Sequence, residues 1–441
     1  MTRAATVLLG FALLLGSPVA TAAEQALQLA VRTDRPEAVY AKGETVTFII
    51  EMQHGDQPVA EALLDVELSA DAFEHSERRQ VVLRAGRAEV QGSRPEPSLL
   101  WIRATCTPAG GRAVRAMGGA AFSHEEIRAP MSAPDDFDQF WEAQKALVDA
   151  VPMNPVLTPM PSPDACKLFS VTLAGLGGTK VTGYLARPAG PGPFPGLVRF
   201  QGAGVSSVDP DKALGYARMG YLAFAMNAHD IDNGQPQEYY DRLMAGRLAG
   251  YMFQGRESRE TTYFRAMYLR CYRAAEFVAS RPDWNGRTLA VHGHSMGGGQ
   301  GLACAALSPH VTALAIDAPG MCDYAGVLVG RATGRPRLVI MNGAVPDPVT
   351  FTTARYMDGV NFASRITAPA IVGVAFQDLS CPSSGVFAAY NALRGPKEVA
   401  IDPLCGHMGD KPNWSRLLRA FLREHRDEAS APTLPRQQNQ R

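Results

Sequence analysis

The chain has 441 residues, 46% hydrophobic and 20% charged, and its 43 Lys+Arg balance 43 Asp+Glu. That length exceeds one ordinary compact domain and points to two. Zero net charge leaves no basic footprint for nucleic acid or an anionic membrane surface as a bulk partner.

The first segment reads as a targeting signal. Arg3 is followed by an uncharged stretch to Ala23, with VLLGFALLLG at its heart and SPVATAA at its end. A basic start, a short apolar centre and small residues at Ala20 and Ala22 describe a secretory signal peptide over residues 1–23, cut after Ala22 or Ala23. The rival reading is a membrane anchor. The dense apolar part, Val7 to Leu15, is short for a span, and Pro18 and Thr21 follow it. The expectation is an exported protein, periplasmic or extracellular, with no membrane span in the mature chain.

Residues 24–123 look all-β. LQLAVRT, TVTFIIEM, LLDVELSA, QVVLR, RAEVQ and LLWIRATC are short, roughly alternating and rich in branched or aromatic residues. Ala85-Gly86 would turn one hairpin. The pattern predicts a small sandwich-like domain, with Trp101 in its core rather than on a sugar-binding platform.

The remainder, residues 124–428, reads as one α/β domain. MSAPDDFDQFWEAQKALVDAVP enters an amphipathic helix from about Asp135, with Phe137, Phe140, Trp141 and Leu147 on one face. A Pro-rich stretch follows. LFSVTLAGL and KVTGYLARP read as paired strands, FPGLVRFQG and YLAFAMN as buried ones. Helices are expected near Ala213–Met219, from Glu260 to Ser280, after Ser295, and from Asn413 to about His425. TLAVHG, VTALAIDAP, APAIVGVAF and KEVAIDP complete the strands, with RLVIMNG a weaker candidate. Apolar strands alternating with helices mean a doubly wound, mostly parallel sheet covered on both faces. Residues 429–441 are a polar tail, expected to be disordered.

The chemistry centres on LAVHGHSMGGG, where Ser295 sits between Gly293 and Gly297. A bare G-x-S-x-G also occurs as a Gly-rich turn with a solvated serine. Here it ends a buried strand and opens a helix, the setting of a nucleophile elbow. Gly293 and Gly297 fit because side chains would clash in so tight a turn. A serine hydroxyl needs a base, and the base an orienting acid. In α/β-hydrolases the chain order is Ser, acid, His. Beyond Ser295, His310 precedes any suitable acid, and His425 sits among charges in the last helix. His407 lies in a Gly-flanked loop after the last strand and is the candidate base. Asp378 directly follows an uncharged strand and is the candidate acid; Asp402, inside the last strand, and Asp410, after the histidine, compete. Two backbone N–H donors would form an oxyanion hole: that of Met296, and one from QGAGVSS, with Ala203 favoured over Gly202 or Gly204. His292 and His294 read as structural or wall residues.

With these residues in place, the stretch from about Asp135 to His407 resembles the acetyl xylan esterase / cephalosporin-C deacetylase family. The resemblance rests on DDFDQFW, YFRAMYLRCYRAAEFVASRPDW, GHSMGGG, IDAPGMCDY, YMDGVNFASRI and FQDLSCPSSGVFAAYNALRGPKEVAIDPLCGH. It implies a serine esterase with the triad Ser295, Asp378 and His407, amide donors at Met296 and Ala203, no metal or organic cofactor, an acetylated sugar or polysaccharide as substrate, and a possible homo-oligomer. The chain departs from the family at Met296 (usually Gln), at Gln201-Gly202-Ala203 (usually His-Gly-Tyr) and at Met408 (usually Glu). The family's Arg-Gly-Gln motif is not recognisable after Gln201. These departures bear on substrate choice. A peptidase or dienelactone-hydrolase-like activity on the same fold, and a non-catalytic carbohydrate-binding protein, are the alternative readings.

The seven cysteines form no C-x-x-C and no zinc-finger spacing with His. Cys106, Cys166, Cys271 and Cys304 read as buried free thiols. Cys381 and Cys405 ride on the loops of Asp378 and His407, which places a disulfide within reach. Cys381 matches a family cysteine that need not be bridged.

Overall fold

The computed structural model describes residues 26–163 and 165–428. The signal peptide and the polar tail expected from the sequence lie outside the described residues.

The N-terminal region is one strongly curled sheet, antiparallel except where β2 pairs with β9. Its strands are β1 (Leu27–Thr33), β2 (Val39–Tyr40), β3 (Thr45–His54), β4 (Gln57–Pro58), β5 (Glu61–Ser69), β6 (Glu77–Arg84), β7 (Arg87–Ser93), β8 (Ser98–Cys106) and β9 (Val114–Phe122). They run in the order β1-β3-β7-β6-β5-β8-β9-β2, with β4 against β3. The curl brings β1 back against β9. Alternation along the strands turns Val46, Phe48, Ile50, Leu64, Val66 and Ile102 into a shared core, as period-two patterning requires. Ala85 and Gly86 turn the β6–β7 hairpin with φ of 48° and 77°, the left-handed geometry that suits the twist of a two-residue hairpin. Gly86 admits no side chain, because a Cβ there would stand 2.6 Å from that of Pro58.

The second sheet joins β10 (Val156–Met160), β11 (Cys166–Ala174), β12 (Lys180–Pro188), β13 (Phe194–Phe200), β14 (Leu222–Met226), β15 (Trp284–His294), β16 (Ala313–Asp317), β19 (Ala370–Ala375) and β20 (Lys397–Asp402). Between the last two pairs in the chain, Met341–Asn342 (β17) and Val345–Pro346 (β18) form a separate small hairpin. The main order is β10-β11-β12-β14-β13-β15-β16-β19-β20, antiparallel over its first strands and parallel from β13–β14 onward. Helices cover both faces, so β14, β16 and β19 are buried throughout. This is an α/β-hydrolase sheet preceded by a small all-β region.

Two local expectations need correction. The entering helix, Phe137–Asp149, buries Phe137, Phe140, Trp141, Gln144 and Val148. Leu147 is 48% exposed. At 3.6 residues per turn it lies roughly 80° off the centre of that stripe, and Val148 takes its place. RLVIMNG is no strand of the main sheet. β16 pairs directly with β19, so no position is open, and Leu338 and Val339 are buried outside any ladder. The Pro-rich stretch, in turn, contains β10. Pro159 is accommodated because β10 is the edge strand.

The two sheets meet at the loop after β19. Trp101 is buried, but it packs with the core of the second sheet rather than inside the curled one, and its indole N–H donates to the Phe376 carbonyl at 2.7 Å. Across the same contact, a Cβ on Gly119 would stand 2.7 Å from that carbonyl.

Candidate active site

Ser295 sits where β15 ends and the helix Met296–Leu307 begins. Its backbone has φ 58° and ψ −126°, a region that costs a non-glycine residue of order 1–3 kcal/mol. Two hydrogen bonds hold it there: its N–H donates to the Asp317 carbonyl at 3.0 Å, and its carbonyl accepts from Gly320 at 2.9 Å. The glycines are needed for close approach. A Cβ on Gly293 would stand 2.0 Å from the Gly297 carbonyl oxygen, and one on Gly297 would stand 2.7 Å from that of Phe200. The turn sets the hydroxyl at the positive end of the helix.

Three residues far apart in sequence converge here. His407 Nε2 lies 2.9 Å from Ser295 Oγ, and His407 Nδ1 lies 2.7 Å from Asp378 Oδ2. Asp378 is fully buried, and its other oxygen accepts the backbone N–H of Ser380 at 2.8 Å and of Cys381 at 2.9 Å. The competing acids are used elsewhere. Asp402 accepts the N–H groups of Asn413 and Trp414, capping the last helix, and Asp410 accepts from Ser415. His310 faces Glu276 and Trp284, and His425 packs on Phe421.

The N–H groups of Met296 and Ala203 have no acceptor among the described residues. The loop that carries Ala203 is pinned by residues the sequence reading passed over. His229 is fully buried. Its Nε2 meets the Gly204 carbonyl at 2.9 Å, which can only accept, so that nitrogen carries the proton; Nδ1 then accepts from the Tyr263 hydroxyl at 2.6 Å. Burial pushes the His229 pKa down to about 4, so the ring is neutral. On the other side, Gly204 N–H donates to Tyr251 Oη at 3.3 Å, and that hydroxyl points at Met296 Sδ at 3.5 Å. The signal for His229 was a polar run, NAHD, directly after the wholly apolar β14.

The two flanking histidines differ. His292 is buried beneath the sheet against Tyr216 and Trp414. His294 faces the site, with its ring centroid 4.8 Å from that of His407. Its Nδ1 lies 2.8 Å from Asp317 Oδ2, and both Asp317 oxygens accept from Lys411 Nζ at 2.9–3.1 Å. Burial pushes Asp317 up, but the bonds and charges of His294 and Lys411 outweigh it and hold its carboxyl below the usual range. Asp317 thereby ties the elbow to the loop bearing His407.

All seven cysteines are free. Cys106, Cys166, Cys271 and Cys304 are buried, as expected. Cys381 and Cys405 are not bridged, and each has different neighbours. Cys381 turns inward beneath the elbow, where Asp378, Cys381 and His407 bring their polar atoms within 4.8 Å of one another. Cys405 instead donates to the Asp410 carbonyl at 3.4 Å. Burial pushes the Cys381 thiol far up, so it keeps its proton.

This arrangement accords with similarities to known proteins. The family model "Acetyl xylan esterase (AXE1)" matches residues 123–424. The acetyl esterase Axe7A of Xylanibacter ruminicola is 28% identical over 360 residues, 80% of this chain and 81% of that protein. A solved acetyl xylan esterase from Paenibacillus sp. R4 matches at 29% identity and a TM-score of 0.59, covering 68% of this chain and 98% of its own. Acetyl xylan esterase 1 from Thermoanaerobacterium sp. JW/SL YS485 matches at 26% identity and a TM-score of 0.58, covering 68% and 97%. The family match spans most of the second sheet and its helices, and with it the chain belongs to the acetyl xylan esterase family and is a carboxylic ester hydrolase.

Proposed function

We propose that the protein is an exported serine esterase that deacetylates acetylated carbohydrate, xylan or sugar acetates, through an acyl-enzyme. One observation carries the mechanism: the hydrogen-bonded chain Ser295–His407–Asp378, with contacts of 2.9 and 2.7 Å. His407 takes the Ser295 proton as Oγ attacks the ester carbonyl. Asp378 holds the ring and balances the imidazolium that forms. The Met296 and Ala203 amides receive the tetrahedral oxyanion without reorganisation. His407 protonates the departing sugar hydroxyl, then activates the water that releases acetate. The substrate class comes from the family match. No step requires a metal or organic cofactor.

In this reading residues 1–23 direct export, 24–123 form an accessory β-domain, 124–428 the catalytic domain and 429–441 a tail. No helix among the described residues is long and apolar enough to cross a membrane. Assembly into a homo-oligomer, suggested by the family resemblance, is tested by light scattering.

The test of function is acetate release from acetylated xylan and simple sugar acetates, wild type beside Ser295→Ala. Release that disappears in the variant supports the reading. Ser295-dependent turnover of bulkier acyl esters alone moves the specificity. Silence on every ester by a folded protein favours the peptidase or sugar-binding alternatives.

A further inference from the structure

Where the curled sheet meets the triad loops there is an open groove of about 540 Å³. Arg103, Arg115 and Met117 line one side, and Gln377, Leu404 and Gly406 the other. Gln377 directly precedes Asp378, and Gly406 directly precedes His407. The groove therefore shares a wall with the loops that carry the proposed acid and base. Its size is that of a small-ligand site, and such sites gather at boundaries between domains.

The charge in the groove is unbalanced. Arg103 stands opposite Met117, and Arg115 opposite Thr105, so side-chain alternation puts both guanidinium groups on one face. Arg103 is committed: it donates to Glu67 at 2.9 Å and lies over the Phe73 ring. Arg115 is exposed, with no side-chain partner among the described residues. No carboxylate lines the groove. A free, planar, permanently charged fork suits a carboxylate, which it can bind through two parallel hydrogen bonds. The opposite wall adds the Gln377 amide and Leu404, which is 61% exposed. A carboxylated pyranose offers this combination of an anion, hydroxyls and an apolar C–H face.

We propose that the N-terminal sheet supplies a substrate subsite, in which Arg115 anchors a carboxylate-bearing sugar unit of the carbohydrate whose acetylated unit sits at Ser295. The proposal rests on the esterase reading above and gives the β-region its role.

The experiment has two arms. The first measures KM for acetylated xylo-oligosaccharides with and without a uronic acid branch, for wild type and Arg115→Glu, with melting temperature as the control for folding. The expected result is a rise of about tenfold in KM for the acidic substrate relative to the neutral one. An unchanged KM ratio overturns the proposal. The second arm needs no turnover: Ser295→Ala is titrated by calorimetry with an unacetylated, uronic-acid-bearing xylotetraose and with plain xylotetraose. Preference for the acidic ligand, lost on adding Arg115→Glu and weakened at raised ionic strength, supports the subsite even if no sugar acetate is hydrolysed. Equal affinity for the two ligands, or binding of neither, overturns it.

Discussion

Two histidine–aspartate pairs stand side by side in this molecule, and their partners differ. His407 and Asp378 lie on loops that reach over from the last strands. His294 and Asp317 lie at the ends of neighbouring strands, β15 and β16, paired in register. Both aspartates are buried, where a nearby charge weighs more than it does in water. The Asp378 carboxylate is satisfied by neutral backbone donors, so its charge remains available to an imidazolium on His407. The Asp317 charge is already balanced by Lys411. His407 also presents its second nitrogen to Ser295 Oγ. A His–Asp contact alone does not mark a base; in the proposed mechanism the counter-charge on Asp317 and the Ser295 contact of His407 separate the two pairs.

Removing one charge from each pair tests the difference most directly. Asp378→Asn is expected to lower kcat on a small acetyl ester on the order of 10⁴-fold, with the fold intact. Asp317→Asn should keep most of kcat and lose stability instead. Equal kinetic losses in the two variants would show that the pairs are not distinct. Lys411→Met sharpens the point, because it leaves Asp317 buried without a cation. The expected cost is about 3–5 kcal/mol in denaturant unfolding. The double variant Asp317→Asn with Lys411→Met should recover most of that loss, and failure to recover would mean that Lys411 acts through packing.

A third histidine gives a smaller effect that depends on pH. His229 has its pKa depressed to about 4 in the folded state, below the ordinary value near 6.5. The unfolded chain therefore binds the proton first as pH falls. The contribution is full above about pH 6.5 and is lost as pH drops toward 4, by roughly 3 kcal/mol. His229→Gln should flatten that limb of the stability profile, read by urea melts across pH, and should lower kcat by loosening the loop of Ala203. The mildest change is Met296→Gln, which keeps the backbone donor and offers the Tyr251 hydroxyl a new acceptor. Its kcat on a small acetyl ester should stay within about tenfold, with KM for sugar acetates shifting more. A collapse of kcat would show that the thioether wall itself matters.

Much of the site was legible in the chain because its demands are local. The strand–turn–helix at Ser295 needs glycines at Gly293 and Gly297, since carbonyl oxygens stand where side chains would be. Asp378 is marked by its place just after an apolar strand, and His407 by a Gly-flanked loop after the last strand. The less legible features depend on what an element packs against. Leu147 lies at the margin of the helix stripe, and packing decides that it stays exposed while nearby Phe140 is buried; RLVIMNG has strand composition but no open place beside β16.

Neighbouring residues carry periodicity, glycine geometry and chain order, so most strands, the sheet type, the elbow and the acid and base to test are legible in the chain. Long-range packing set the rest. It brought Lys411 to Asp317 across 94 positions, set His229 under the Gly204 loop, gave Cys381 and Cys405 different neighbours, and formed the Arg115 groove between two sheets. Each of these is a long-range juxtaposition, created when buried faces choose their partners, and no local pattern encodes which partner that will be.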